Sequence, residues 1–193
     1  MNVFDAPRNS YMEFDKIYFW TATIRNWNMI LSSNDFKETI IDSLAYLSNQ
    51  RTIDVFGFVI MPNHIHLIWR MIEMNGKETP RASLLKYTAH QFKRMLDPHQ
   101  LPKFKVAAAN KKYEFWQRDS LAVELYSPDV AYQKLDYIHL NPLVEHWNLV
   151  NDPCDYKFSS AGFYEKGDTR YEFLVTWFVR TRTTADRKRR YTL

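Results

Sequence analysis

Apolar and polar positions along the chain switch repeatedly between a two-residue and a 3.6-residue period. Asp15 to Arg25 (DKIYFWTATIR) is dense in aromatic and β-branched residues, which predicts a buried strand. Phe36, Ile40, Leu44 and Leu47 then recur at helical spacing behind the capping residues Ser33-Asn34-Asp35, which predicts a helix. Thr52 to Met61 and His64 to Met71 read as two strands joined by the turn Pro62-Asn63, an antiparallel hairpin. Glu73 to Pro80 is a polar loop, and Ala82 to Leu96 an amphipathic, basic helix that ends before Pro98. Lys103 to Glu114 fits neither period. A fourth strand is expected around Leu121 to Leu125, within Phe115 to Tyr126. Ser127-Pro128-Asp129 starts a third helix that runs to about Leu140 and stops at Pro142. A short helix near Ser159 to Tyr164 and an apolar strand or helix over Tyr171 to Val179 complete the pattern.

The order β-α-β-β-α-β-α predicts an α+β protein. Its first six elements match a ferredoxin-like, RRM-like antiparallel sheet with helices on one face and the other face free. The third helix is a C-terminal addition. Residues 1–179 are expected to form one domain with its core at about 15–165, and 180–193 a basic tail. Such a fold names no function by itself.

Composition narrows the classes. The single cysteine excludes a disulfide framework and a cysteine-based zinc site, and fits a reducing cytoplasm. Four glycines leave no glycine-rich phosphate loop. The N-terminal MNVFDAPRNS has no apolar signal region, and the longest apolar run, Val55 to Met61, is far short of a membrane span, so a soluble intracellular protein is expected. The formal charge of +4 is unevenly spread: −2 over residues 1–76, +7 over 77–118, −6 over 119–179 and +5 over 180–193. One basic segment and one basic tail on an acidic body imply an anionic partner held at a defined place.

The candidate chemistry begins in MPNHIHLIW. On a strand, Ile65, Leu67 and Trp69 face one way, and His64 and His66 the other. The two Cβ atoms lie about 6.5–7 Å apart, close enough for both imidazoles to converge on one divalent cation. The same pair also occurs as two plain histidines on a polar sheet face. A histidine triad would need a third histidine at position 68, which is Ile68. A cupin would need a glutamate where Arg70 and Met71 stand.

The third helix, DVAYQKLDYIHLNP, places Tyr137 and Asn141 four residues apart on one face, about 6 Å along the axis, with Gln133 one turn earlier and Leu135 and Ile138 on the buried side. A carboxamide oxygen is a hard metal ligand, and a phenol can attack phosphorus in line. A half-buried packing tyrosine and an Asn-Pro helix stop would look the same in sequence. Tyr132 and Tyr126 have no carboxamide four residues on, because Asp136 and Val130 stand there.

Taken together, MPNHIHLIW, FWQRD, DYIHLNP and DYKFSSAGFY resemble, in order and spacing, the REP-associated tyrosine transposases. These are insertion-sequence-type transposases with a His-hydrophobic-His (HUH) motif and one tyrosine. The resemblance spans roughly residues 15–165. It implies a ferredoxin-like sheet with both histidines on a central strand and a Mg²⁺ or Mn²⁺ cofactor. The implied substrate is single-stranded DNA beside an imperfect hairpin, nicked through a 5′-phosphotyrosine link with a free 3′-OH left behind. Carried over by position, His64, His66 and Asn141 are metal ligands and Tyr137 is the nucleophile. A bacterial cytoplasmic, nucleoid-associated protein acting as a monomer or homodimer is implied. The chain departs from the family pattern at Leu143-Val144-Glu145-His146, where a negative charge enters the expected DNA path.

Within the +7 segment, Lys86, Lys93, Arg94, Lys111, Lys112 and Arg118 are candidate phosphate contacts, as are Arg187, Lys188, Arg189 and Arg190 in the tail. Tyr113, Phe115 and Trp116 beside them could stack on unpaired bases, or belong to the core. Two other classes compete with strand transfer. A silent single-strand binder shares the sheet architecture but has no reason to keep the complete His64, His66, Tyr137 and Asn141 set. A replication initiator or relaxase is usually larger.

Overall fold

The computed structural model describes residues 10–109, 111–118 and 120–176. Six strands and four α-helices follow one another: β1 (Ile17–Thr23), α1 (Asn34–Asn49), β2 (Ile53–Ile60), β3 (His64–Met71), α2 (Pro80–Met95), β4 (Lys105–Ala108), β5 (Lys111–Tyr113), β6 (Leu121–Glu124), α3 (Pro128–Leu140) and α4 (Ala161–Lys166). Four strands make one antiparallel sheet in the order β2-β3-β1-β6, the ferredoxin-like arrangement expected from the pattern. β3, which carries the histidines, is flanked on both sides. Thr21 and Val59 stand opposite His66, and Thr23 opposite His64.

Local chemistry accounts for the helix starts. Thr79 caps α2 by accepting from the Ala82 N–H, with Pro80 in the first turn, so the helix begins two residues before the apolar pattern does. Ser127 caps α3 in the same way through the Val130 N–H, followed by Pro128. On the face bearing Ile65, Leu67 and Trp69, α1 and α2 pack side by side. Trp20 and Trp69 are fully buried there, with ring centroids 5.1 Å apart. Tilted aromatic pairs of this kind add about 0.5–1.5 kcal/mol beyond the area they bury.

The other face is not free, contrary to expectation. α3 lies across it, with Leu135 and Ile138 packed over Gly57. A Cβ at Gly57 would come within 2.7 Å of Leu135 Cδ1 and 3.2 Å of Ile138 Cδ1, so the missing side chain is what lets the helix approach. Residues 156–164 clip the same side to β2. Tyr156 Oη donates to the Ile60 carbonyl at 2.7 Å, Tyr164 Oη donates to the Phe56 carbonyl, and Ser160 Oγ accepts from the Phe58 N–H at 3.0 Å.

Two further segments differ from expectation. The stretch that fitted neither period holds a small β4–β5 hairpin outside the main sheet. Tyr171 to Thr176 is neither helix nor strand. It turns and meets β2 at a bridge between Leu174 and Val55, with the Tyr171 and Phe173 rings against Phe58. The remainder of the span expected to reach Val179 and the basic tail lie outside the described residues. No helix among the described residues is long and apolar enough to cross a membrane.

Candidate active site

The site forms where β3, β1 and α3 meet. His64 and His66 point to the α3 side of the sheet and are 7% and 5% exposed. Their rings are 4.6 Å apart at 71°. Each has its Nδ1 engaged: His64 with Asn63 Oδ1 at 2.7 Å, His66 with Thr21 Oγ1 at 2.7 Å. Asn63 Oδ1 can only accept, so His64 carries its proton on Nδ1 and leaves the Nε2 lone pair free. Thr21 can accept the Nδ1 proton of His66 in the same way. His66 Nε2 is buried and has no hydrogen-bond partner among the described residues. A buried nitrogen without a partner is costly and calls for a ligand.

Both imidazoles are held neutral. Burial, with a smaller push from His146, lowers the His64 pKa to about 4. Burial, followed by the charges of His64 and Lys134, lowers that of His66 to about 3. Neutral nitrogen lone pairs are what a divalent ion requires.

Tyr137 stands over His66, with ring centroids 5.4 Å apart, and is half exposed, so its phenol is accessible from solvent. Phe19 on β1 touches both. It stacks on His66 at 5.2 Å and meets Tyr137 edge-on at 6.0 Å. The Lys134 ammonium lies 5.0 Å above the Phe19 ring and 5.8 Å from the Tyr137 ring centre. Tyr132, the rival tyrosine, turns away to Phe56, Ile68 and Tyr164, and Tyr126 stands exposed beyond β6.

Asn141 is buried at the end of α3, and its N–H bonds to the Tyr137 carbonyl. Although it precedes Pro142, it keeps helical angles (φ −53°, ψ −42°), and the chain continues as a 3₁₀ turn over Asn141–Leu143. Asn141 therefore stays one helical turn beyond Tyr137 instead of peeling away. The divergent loop that follows brings Trp147 to 5.9 Å from His64 and closes that side. No group of three or more His, Cys, Asp or Glu able to hold a metal occurs among the described residues, so no third side chain of those types joins the two histidines there. Two imidazoles suit a divalent ion that accepts nitrogen donors, and a carboxamide such as that of Asn141 could add an oxygen.

The basic candidates fall into groups. Lys86, Lys111 and Arg118 line an open groove of about 570 Å³ together with Arg81 and Tyr113. Within it the carboxylate of Glu114, 7% exposed, is bound by Arg25, Lys111 and Arg118. Burial pushes this carboxyl up, but the hydrogen bonds of Lys111 and Arg118 outweigh it and hold the pKa below the usual range. Lys86 pairs with Glu78. Lys93 and Lys112 flank the Tyr113 ring at 5.4 and 5.6 Å, and Arg94 is exposed on α2. Arg187, Lys188, Arg189 and Arg190 lie outside the described residues. Phe115 and Trp116 are core and not stacking platforms. Phe115 stacks on Phe104, and Trp116 donates its Nε1–H to Thr88 Oγ1 at 2.8 Å.

No protein-family profile and no curated protein matches the chain. Among solved structures, a REP-associated tyrosine transposase bound to a REP hairpin aligns over 95% of this chain and 96% of its own, at TM-score 0.60 and 17% identity. The chain has the fold of a REP-associated tyrosine transposase. A second structure, named only as a candidate transposase from Deinococcus radiodurans R1, covers 67% of this chain and 92% of its own at 17% identity and TM-score 0.41, too low to carry an argument. In this transposase fold the supporting residues Thr21, Phe19, Lys134 and Trp147 were not legible from sequence. Asn63 reads in the sequence only as part of a turn, and its bond to His64 is seen in the fold.

Proposed function

We propose that the chain is a Mg²⁺- or Mn²⁺-dependent single-stranded DNA strand transferase of the REP-associated type, nicking beside hairpin elements through Tyr137. The observation that carries this reading is the buried, unpartnered His66 Nε2 with the accessible Tyr137 ring 5.4 Å from the imidazole. The rings are packed, but packing leaves that buried nitrogen without a partner.

His64, His66 and Asn141 would hold the ion. When bound, it would withdraw charge from a phosphate oxygen and so favour attack at phosphorus. The protein's own residues do the rest. Asn63 and Thr21 fix the two ring orientations, and Phe19 seats Tyr137 against His66. Tyr137 Oη forms the new bond to phosphorus while the bond from phosphorus to the 3′ oxygen breaks. The phenol proton passes to water and the departing 3′ oxygen takes one up. The 5′-phosphotyrosine link keeps the ester energy, so a 3′-OH from another end can reverse the step and rejoin strands.

The basic groove beside Tyr113 suits the DNA backbone, and the RNA-recognition alternative is disfavoured because α3 covers the sheet face that such modules expose. A cytoplasmic, nucleoid-associated location and action as a monomer or homodimer complete the reading. Incubated with Mn²⁺ and a hairpin oligonucleotide carrying a single-stranded flank, the protein should become covalently attached to the 5′ side of the nick. Tyr137→Phe should abolish the adduct and leave hairpin binding nearly unchanged. An undiminished adduct in that variant removes Tyr137 from the role.

A further inference from the structure

We infer that Lys134 is a catalytic residue that contacts a non-bridging oxygen of the scissile phosphate and stabilises its charge as Tyr137 attacks. This rests on Tyr137 being the nucleophile. The stretch from 119 to 179 carries −6 overall, so a cation beside the tyrosine stands out against its surroundings. The fold places one there. Lys134 and Tyr137 are three apart on α3, hence neighbours on one face.

The Lys134 ammonium lies over Phe19 at 5.0 Å and 5.8 Å from the centre of the Tyr137 ring. It has no carboxylate partner among the described residues, whereas Lys86, Lys111, Arg118 and Arg25 are all tied to glutamates. It is half-buried, with its ammonium set against the Phe19 and Tyr137 rings. The aromatic faces hold the cation without neutralising it. A phosphate accepted by Tyr137 therefore arrives beside a charge that is already in place and uncommitted. This is the preorganised stabilisation that speeds group transfer most. As an ammonium, Lys134 cannot take the phenol proton, so its part is electrostatic and the bond changes are those already given.

The test is single-turnover adduct formation with Mn²⁺ and a hairpin oligonucleotide, alongside hairpin affinity and thermal midpoint. Lys134→Met keeps the aliphatic stem and removes the charge. It should slow adduct formation about 10²-fold, the usual cost of removing one transition-state donor, with affinity and midpoint unchanged. Lys134→Arg should recover much of the rate. A Lys134→Met rate within about threefold of wild type overturns the inference. So does a Lys134→Arg rate as low as that of Lys134→Met, or a loss of affinity that accounts for the whole effect. If wild type itself forms no adduct while binding the hairpin, the nucleophile assignment is what fails, and the role of Lys134 falls with it.

Discussion

At the scale of single residues, the histidines make the sharpest prediction. An ordinary imidazole titrates near 6.5, and at pH 5.5 two of them would weaken a two-histidine metal site about a hundredfold. Here burial holds His64 at about 4 and His66 at about 3. Mn²⁺ affinity, measured by calorimetry, should therefore stay nearly flat from pH 8 to 5.5. The same shifts act on stability with a definite sign. Below pH 6.5 the unfolded chain binds protons on these rings and the folded chain does not, so stability present above 6.5 is lost as the pH falls toward 4. Each histidine contributes at most about 1.4 kcal/mol per pH unit. His66→Gln should make the denaturation midpoint less pH-dependent by about one proton, and an unaltered slope would contradict the burial argument. The pair itself was readable because a strand's period of two puts both rings on one face. Their buried state was not, because it depends on α3, Trp147 and Phe19, brought in from distant positions.

At the scale of elements, the strands and helices that local chemistry dictates were legible. The β2–β3 hairpin follows from two apolar runs around Pro62-Asn63, and α3 from Ser127-Pro128 and the stripe of Leu135 and Ile138. What pattern could not supply was the docking of α3 on the histidine face, because that depends on an absence at Gly57. A glycine within a strand is ordinarily a weak point. In the structure Gly57 sits at a register shift, under two packed methyl groups. Gly57→Ala should strain Leu135 and Ile138 by about 1–3 kcal/mol and lift α3, with Tyr137, from the histidines. Adduct formation should then fall by more than the loss of folded protein explains, which a rate measured well below the thermal midpoint would reveal. Equal losses in both would mean that α3 has slack. The β4–β5 hairpin escaped the sequence because its strands are too short for a period to register.

At the scale of the whole molecule, the uneven charge becomes a path. Residues 114–117 run along the end of β1, where the Arg25 N–H donates to the Phe115 carbonyl and the Gln117 N–H to the Thr23 carbonyl. The basic groove therefore opens beside the strand end that pairs with His64. From Ser120 in that groove the chain enters β6, where Leu121 stands opposite Thr21 and Val123 opposite Phe19, on the same face as His66. Leu121 is 46% exposed and Val123 37%, which leaves an apolar step between the groove and Tyr137. On the proposed function, a strand whose phosphates lie along Arg81, Lys86 and Arg118 crosses this step with its bases against Leu121 and Val123. Leu121→Asp places a carboxylate there without touching the core or any proposed ligand. It should weaken binding of an oligonucleotide with a single-stranded flank about tenfold, equivalent to about 1.4 kcal/mol. The hairpin stem alone should bind as before, and the effect should shrink as salt rises, because it is an exposed charge acting on phosphates. Equal weakening of both DNAs would move the path off β6 and leave the groove to hold the stem by itself.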